Sequence, residues 1–291
     1  MPELPEVETV AEGLRRRALG RSFASIEIRH PAVIVGSAEE FASTLEGRTL
    51  SQVSRKGKAL ALELSGAGNS PPRFLLVRLG MTGQFTVAPS EAPLEPHTHV
   101  RITLDGGREE LRFRDTRRFG RLRSCSREEL EKVLGGLGPD AQLMTEAQFL
   151  AAMRGRHGAI KSWLMNQNLL AGLGNIYADE ALFRAGIHPL AQPGRVSSAK
   201  AVRLYQSVRK VLERAVRHGG TTFSDYLDAE GRPGEFLKML RVYQRTGKPC
   251  PRCRAAIRRV VIAGRSSHFC PRCQPPPRVK AKMRGPRPAA A

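Results

Sequence analysis

The chain has 291 residues, enough for two domains with separate cores, and its 41% apolar content supports a globular protein. Forty-eight Lys and Arg against 27 Asp and Glu leave a formal charge of +21 that is shared by both halves, so a polyanion is the natural partner. No apolar run approaches the ~20 residues needed to span a bilayer and no signal-type apolar core follows the start, so a cytoplasmic location is expected rather than a membrane or exported one.

Taken in chain order, Val7, Val10, Ala11, Leu14 and Ala18 recur at helical spacing, predicting a first helix from Pro5 to a stop at Gly20. Segments 22–29, 49–64, 73–87, 99–104 and 109–123 alternate polar with apolar residues and are broken by Gly, Asn or Pro, which reads as strands. The first domain, residues 1–130, is therefore expected to be a β-sandwich with flanking helices. Residues 131–144, with the Gly-Gly-Leu-Gly-Pro run at 135–139, lack periodicity and are assigned as a hinge. Helices are expected over 145–154, 159–167, 176–185 and 197–218, the last with Ala201, Leu204, Tyr205, Val208, Val211, Leu212 and Ala215 on one core-facing stripe. They place a helical domain at 145–244. A finger at 245–274 follows, and a proline-rich basic tail at 275–291 is expected to be disordered.

Four of the five cysteines sit in two Cys-x-x-Cys knuckles, Cys250/Cys253 and Cys270/Cys273, separated by 16 residues. That spacing fits one tetrahedral Zn²⁺, and a reducing compartment disfavours the rival pair of disulfides. With four protein ligands there is no open position for a substrate, so the metal is structural. Cys125 reads as a plain strand residue.

The opening Met1-Pro2-Glu3-Leu4-Pro5-Glu6 carries a second chemical signal. Removal of Met1 would expose a proline amine beside a carboxylate. An α-amine titrates near pH ~8 against about 10.4 for lysine, so far more of it is unprotonated at neutral pH. Attack of this secondary amine on a sugar C1′ gives an iminium that is charged without a proton, an electron sink for eliminating a neighbouring phosphate. The implied chemistry is base removal followed by strand cleavage. An isolated Pro-Glu start is otherwise an ordinary helix beginning.

The start through Thr9, the segment Arg78-Leu79-Gly80-Met81-Thr82-Gly83, the run Asp115-Thr116-Arg117-Arg118-Phe119-Gly120, the turn Gly172-Leu173-Gly174-Asn175-Ile176-Tyr177 and the four-cysteine finger occur in one order. Together, from Met1 to about Cys273, they resemble the formamidopyrimidine-DNA glycosylases. The resemblance implies an α+β fold, with an N-terminal β-sandwich, a helix–two-turn–helix domain and a zinc-finger hairpin. It implies a monomeric bifunctional glycosylase and AP lyase acting on oxidised purines in double-stranded DNA, preferably opposite cytosine.

By the same resemblance, Pro2 is the Schiff-base nucleophile and Glu3 the proton donor. Lys58 contacts phosphate and assists base excision, with Lys56 the competing lysine two residues away. Met81, Arg117 and Phe119 fill the void left by the flipped nucleotide, Arg117 facing the orphaned base, and His97 joins the DNA-binding set. Lys161 and Asn175 are expected phosphate contacts from the helical domain, Asn175 doubling as a helix N-cap, and Arg265 at the finger's turn clamps phosphates around the lesion. Glu6 and Glu180 match further acids of less defined role. Residues 221–234 resemble a flexible lid over the extruded base. An endonuclease VIII-like enzyme for oxidised pyrimidines is the nearest alternative, disfavoured by Leu4 and by this lid. A non-catalytic zinc-dependent binder of damaged DNA is the alternative from another class.

Overall fold

The alternating apolar residues of the first domain meet between two four-stranded antiparallel sheets. The computed structural model describes residues 2–66 and 70–277. Its first four strands are β1 (Phe23–Ile28), β2 (Thr49–Lys56), β3 (Ala59–Ser65) and β4 (Arg73–Arg78). They are followed by β5 (Gln84–Pro89), β6 (Thr98–Leu104), β7 (Glu109–Arg114) and β8 (Arg121–Cys125). One sheet has the order β1-β6-β7-β5 and the other β2-β3-β4-β8. Leu60, Leu62, Leu75 and Val77 of one face Phe85, Val100, Leu111 and Phe113 of the other across a buried core. Two expected strand stretches divide between the sheets: 73–87 becomes β4 and β5, and 109–123 becomes β7 and β8. The chain crosses from sheet to sheet at 79–83 and at 115–120, the segments that carry Met81 and Phe119.

Helix α1 (Leu4–Arg17) starts one residue before the expected Pro5, because Glu3 serves as its N-cap and forms a reciprocal capping box with Glu6. It ends at Arg17, and Gly20 lies beyond it in a left-handed turn. Two further helices, α2 (Ala38–Leu45) and α3 (Arg127–Gly135), are absent from the sequence reading. Both begin on a serine, Ser37 and Ser126, that accepts the amide of a glutamate three residues on. Leu130 of α3 packs on Ala59, Ala61, Phe74 and Leu76 and covers the outer face of the second sheet.

The helical domain contains α4 (Glu146–Met153), α5 (Ile160–Met165), α6 (Asn175–Ala185) and α7 (Ser198–Arg217), close to the four expected helices. Their core includes Phe149, Trp163, Leu164, Tyr177, Leu182, Leu204 and Leu212. Leu4 belongs to this second core, while Val7, Val10, Ala11 and Leu14 of the same helix belong to the sandwich core. Helix α1 therefore joins the two domains, and its first turn lies at their junction. The finger is a hairpin of β9 (Arg258–Ile262) and β10 (Arg265–Phe269). Among the described residues no helix is long and apolar enough to cross a membrane. In the tail assigned to 275–291, residues 278–291 lie outside the described residues.

Candidate active site and nucleic-acid interface

The first turn of α1 is buried because the glycine-rich turn before α6 closes over it. The amide of Leu4 donates to the carbonyl of Gly172 at 3.1 Å. A Cβ on Gly172 would lie 2.5 Å from Leu4, and one on Gly174 would lie 2.4 Å from the Glu3 carboxyl carbon. These two glycines are needed so that backbone can approach the chain start. The Glu3 carboxylate accepts the amides of Gly174 at 2.7 Å and Ile176 at 2.9 Å, at the N-terminus of α6. The anion seated on that helix end is thus the protein's own carboxylate. Burial pushes the Glu3 carboxyl upward, partly opposed by the charge of Lys58 and by the backbone donors.

Glu6 lies one turn further on and completes a buried network. It accepts the amide of Glu3 at 2.7 Å, the amide of Thr221 at 2.7 Å and the hydroxyl of Tyr177, which is also 2.9 Å from the Thr221 hydroxyl. Burial, and then the adjacent Glu3, push the Glu6 carboxyl up to about 7. Tyr177, given no role by the sequence pattern, links the chain start to the base of the lid segment through its hydroxyl.

Pro2 lines a cavity of about 310 Å³ together with Lys58, Arg78, Gly80, Leu137 and Gln167. Of the two competing lysines, Lys58 reaches this cavity, whereas Lys56 donates its ammonium to the Leu134 carbonyl of α3 at 2.9 Å. Burial lowers the Lys58 ammonium's proton affinity, Glu3 and Glu6 restore part of it, and Arg265 lowers it further. A latch missed in the sequence holds the β2-β3 turn. Arg55 donates to both Glu8, at 2.6 Å, and Asp140, and Asp140 also accepts the Gly57 amide at 2.8 Å. Arg55 and Asp140 are almost fully buried. Gly57 is left-handed and its Cβ would meet Ala171 at 2.9 Å. The run 131–144 is therefore partly helical, in α3, and tied to the sandwich at Asp140. The only sequence signal was an Asp after Gly-Pro.

The two sheet crossings meet at their tips. A Cβ on Gly80 would lie 2.6 Å from both the Phe119 carbonyl carbon and the Gly120 amide. Asp115, fully buried, braces both tips: it accepts the Thr82 hydroxyl from one, and the amides of Arg117 at 3.2 Å and Gly120 at 2.7 Å from the other. Met81 and Phe119 remain 37% and 53% exposed, although both are large apolar groups. The Arg117 guanidinium lies 4.8 Å from the Phe119 ring centre. His97 is exposed and left-handed, and its carbonyl accepts the amide of Asp115 at 3.1 Å.

On the helical side, Gly174 rather than Asn175 is the N-cap of α6; Asn175 is the first helical residue, 3.5 Å from the Tyr243 hydroxyl. Lys161 is buried instead of standing open: its ammonium pairs with Asp179 at 2.6 Å and donates to the Ser266 carbonyl at 2.7 Å. Asp179, also missed in the sequence, further accepts the Ser267 hydroxyl at 3.1 Å and the His268 amide at 2.8 Å, so β10 is fixed on α6. Glu180 accepts the amides of Arg241, Val242 and Tyr243 at 2.9 to 3.0 Å and anchors that bend. Arg265 begins β10 after the left-handed pair Ala263 and Gly264, and its charge is felt by both Lys58 and Lys161.

The ligand sulfurs of Cys250, Cys253, Cys270 and Cys273 all lie within 4.8 Å of one another. The pairs Cys250/Cys273 at 3.9 Å and Cys253/Cys270 at 3.4 Å bracket the ~3.8 Å edge of a tetrahedron with Zn–S bonds of about 2.3 Å. The donor set therefore fits a structural zinc, as expected.

The expected lid is folded onto the first domain. Val87 donates its amide to the Ala229 carbonyl at 2.7 Å, Arg16 pairs with Glu230 at 2.8 Å, and a Cβ on Gly13 would lie 2.5 Å from that of Ala229. At the other edge Phe223 meets Tyr243 with ring centres 5.7 Å apart, and Tyr243 meets His268 at 5.1 Å.

A sandwich and a finger-bearing helical domain that hold Pro2 at their junction, with Lys58 and Arg78 of the sandwich lining its cavity and Gln167 of the helical side closing it, make a DNA-repair glycosylase. Three family models match in chain order: the formamidopyrimidine-DNA glycosylase N-terminal domain at residues 1–122, its H2TH domain at 136–226, and the zinc finger found in FPG and IleRS at 247–276. The chain is 44% identical over 275 residues to the formamidopyrimidine-DNA glycosylase of Solibacter usitatus, covering 94% of this chain and 99% of that one. A Lactococcus lactis FPG variant solved with DNA containing Fapy-dG is 34% identical with a TM-score of 0.86, covering 94% of this chain and 100% of that one. The wild-type Lactococcus lactis FPG solved with DNA containing an oxidized pyrimidine gives 34% and 0.85 over the same shares. The chain belongs to the formamidopyrimidine-DNA glycosylase family.

Proposed function

We propose that this glycosylase is bifunctional, excising oxidised purines and nicking the strand through an N-terminal proline Schiff base. The observation that carries this reading is the placement of Pro2 in a cavity with Lys58, one residue from a buried carboxyl that burial holds above the ordinary range. With Met1 removed, the Pro2 nitrogen bonds to C1′ while the C1′–base bond breaks; the base leaves with the electron pair and takes up the proton that the amine nitrogen loses. Glu3, which keeps its proton to a higher pH than an exposed carboxyl, gives it to the sugar ring oxygen as the ring opens to the iminium. Loss of the C2′ proton then expels the 3′ phosphate. Loss of the C4′ proton expels the 5′ phosphate, and water releases the sugar fragment from Pro2.

Residues 1–130 and 145–244 act as the two halves of the clamp and 131–144 as their hinge. Met81, Arg117 and Phe119 enter the duplex where the nucleotide leaves, Arg117 favouring cytosine. Lys58, His97, Asn175, Arg265 and the third donor of Lys161 hold the backbone. The protein works as a monomer. Because a relative is known with an oxidised pyrimidine in its DNA, the preference for purines is part of the proposal.

Borohydride trapping on an 8-oxoguanine:C duplex, with a thymine glycol duplex beside it, tests the reading. The expected result is a DNA adduct mapped to Pro2, formed faster on the purine lesion. An adduct on Lys58 would keep the lyase and overturn the nucleophile; turnover of 8-oxoguanine with no trappable adduct would overturn the Schiff base. Retaining a residue ahead of Pro2 is expected to lower excision and trapping on the order of a thousandfold or more.

A further inference from the structure

We infer that the back of the helical domain carries a second anion site, built for a small diphosphate-bearing ligand with an apolar body. Two adjoining cavities of about 260 and 480 Å³ lie between α6, α7, the segment 236–241 and the first zinc knuckle. They share Arg184, Lys210 and Arg252, and their walls add Arg203, Arg214 and Arg241. None of these six has a carboxylate partner among the described residues. The one acid in the walls, Glu180, spends its oxygens on the amides of residues 241–243. The nearby Glu213 on α7 is turned to Arg209 and Arg217.

Some basic groups elsewhere are neutralised in place, although others such as Lys58 and Arg265 also have no carboxylate partner among the described residues. Arg55 meets Glu8 and Asp140, and Arg101 meets Glu27 and Glu110. Six unpaired cations around one hollow repel one another, and an anion with several charges relieves that repulsion best. The hollow is built rather than accidental: Arg252 is fixed by donating to the carbonyls of Phe183 at 3.0 Å and Arg184 at 3.2 Å, with its guanidinium 4.4 Å from the Phe183 ring centre. Inside the cationic rim lie Phe183, Val211 and Phe236, all buried, and Met239. An apolar floor under a cationic rim suits an organic phosphate such as a nucleoside diphosphate, and the volume is that of a small-molecule site.

The place is distinct from the lesion cleft. Arg184 lies nine residues beyond Asn175 on α6, about 14 Å along the helix. Asp179, facing the finger, and Glu180, facing this hollow, are neighbours separated by about a quarter turn. The floor also touches the chemistry indirectly, since Phe236 packs on Tyr177, whose hydroxyl donates to Glu6.

The experiment is calorimetric titration of the full zinc-loaded chain with ADP and, separately, with inorganic pyrophosphate, with and without saturating abasic-site duplex. Saturable one-to-one binding of ADP that persists on the DNA-bound protein is expected. Arg203→Glu with Lys210→Glu, two exposed positions on α7, should weaken it at least about tenfold while lesion excision is unchanged. Pyrophosphate binding as tightly as ADP would support the anion site but assign it to inorganic phosphates. Binding that disappears when duplex is added, or that survives the double substitution, would overturn the proposal. So would loss of duplex affinity in the double variant, which would make these cations part of the DNA surface.

Discussion

The chain start and the two loop tips are both assigned to the lesion, yet they are built in opposite ways. Pro2, Glu3 and Glu6 are buried, and every oxygen of the two carboxyls that the network uses is met by a fixed donor. Met81, Arg117 and Phe119 stand exposed on crossings held from below by the buried Asp115. The difference teaches that the groups proposed to form bonds are positioned by the junction of two domains, whereas the groups proposed to displace a base have free surface and a rigid root. Proton transfer tolerates little error in distance, while a wedge must be able to enter another molecule.

The largest expected effect comes from removing what the helical half of the junction rests on. Stripping the zinc should unfold the hairpin, free Arg265 and β10 from α6, and abolish tight binding to lesion duplex; gel-shift titration before and after chelation checks it. Tight binding by the metal-free chain would show that the junction needs no finger.

Next is the latch. Asp140→Asn leaves Arg55 buried with half its neutralisation and should cost about 3–5 kcal/mol of stability, read by denaturant unfolding. A loss below about 1 kcal/mol, the range of an exposed pair, would mean that the pair is effectively solvated.

Glu6 gives a smaller effect with a definite pH signature. Burial and the neighbouring Glu3 lift its carboxyl pKa from the ordinary 4.5 to about 7, so between those pH values the folded protein holds a proton that the unfolded chain has released. Stability therefore falls as pH rises through that window, by about 3 kcal/mol in total, and is level above it. Glu6→Gln removes this decline, so the stability difference between variant and parent should move in the variant's favour from pH 4.5 to 8. A difference that is flat with pH would place the Glu6 proton elsewhere.

The smallest effect on the fold is expected at the tips. Phe119→Ala should leave stability within about 0.5 kcal/mol, because the ring is already half exposed, yet slow excision relative to the parent in single-turnover assays. Unchanged excision would remove Phe119 from the wedge.

How much of this was legible beforehand follows from what each feature depends on. The finger, the four main helices and the sandwich were readable because cysteine spacing and apolar periodicity are local patterns. Helices α2 and α3 were missed although Ser37 and Ser126 with their following glutamates are recognisable caps; short helices carry little periodicity to support a cap. The strand stretches at 73–87 and 109–123 were read without their crossings, since alternation does not tell which sheet a strand joins. Lys161 and Asn175 were found as residues, but not the burial of one nor the position of the other just inside its helix. Arg55, Asp140 and Asp179 left almost no trace, because a buried charge looks like a surface charge in one dimension.

The sequence by itself determined the family, the metal and the chemical type of the chain start, since each rests on residue identity and near spacing. Only the tertiary structure decided that Lys58, already preferred on the sequence pattern, shares a cavity with Pro2 while Lys56 is tied to α3, that Glu3 occupies the N-terminus of α6, and that the lid segment rests on α1 and β5. Those outcomes depend on burial and on contacts between residues up to about two hundred positions apart, for example Glu6 with Thr221 and Arg16 with Glu230. Desolvation and long-range contact set them, and neither is a property of a residue's neighbours in the chain.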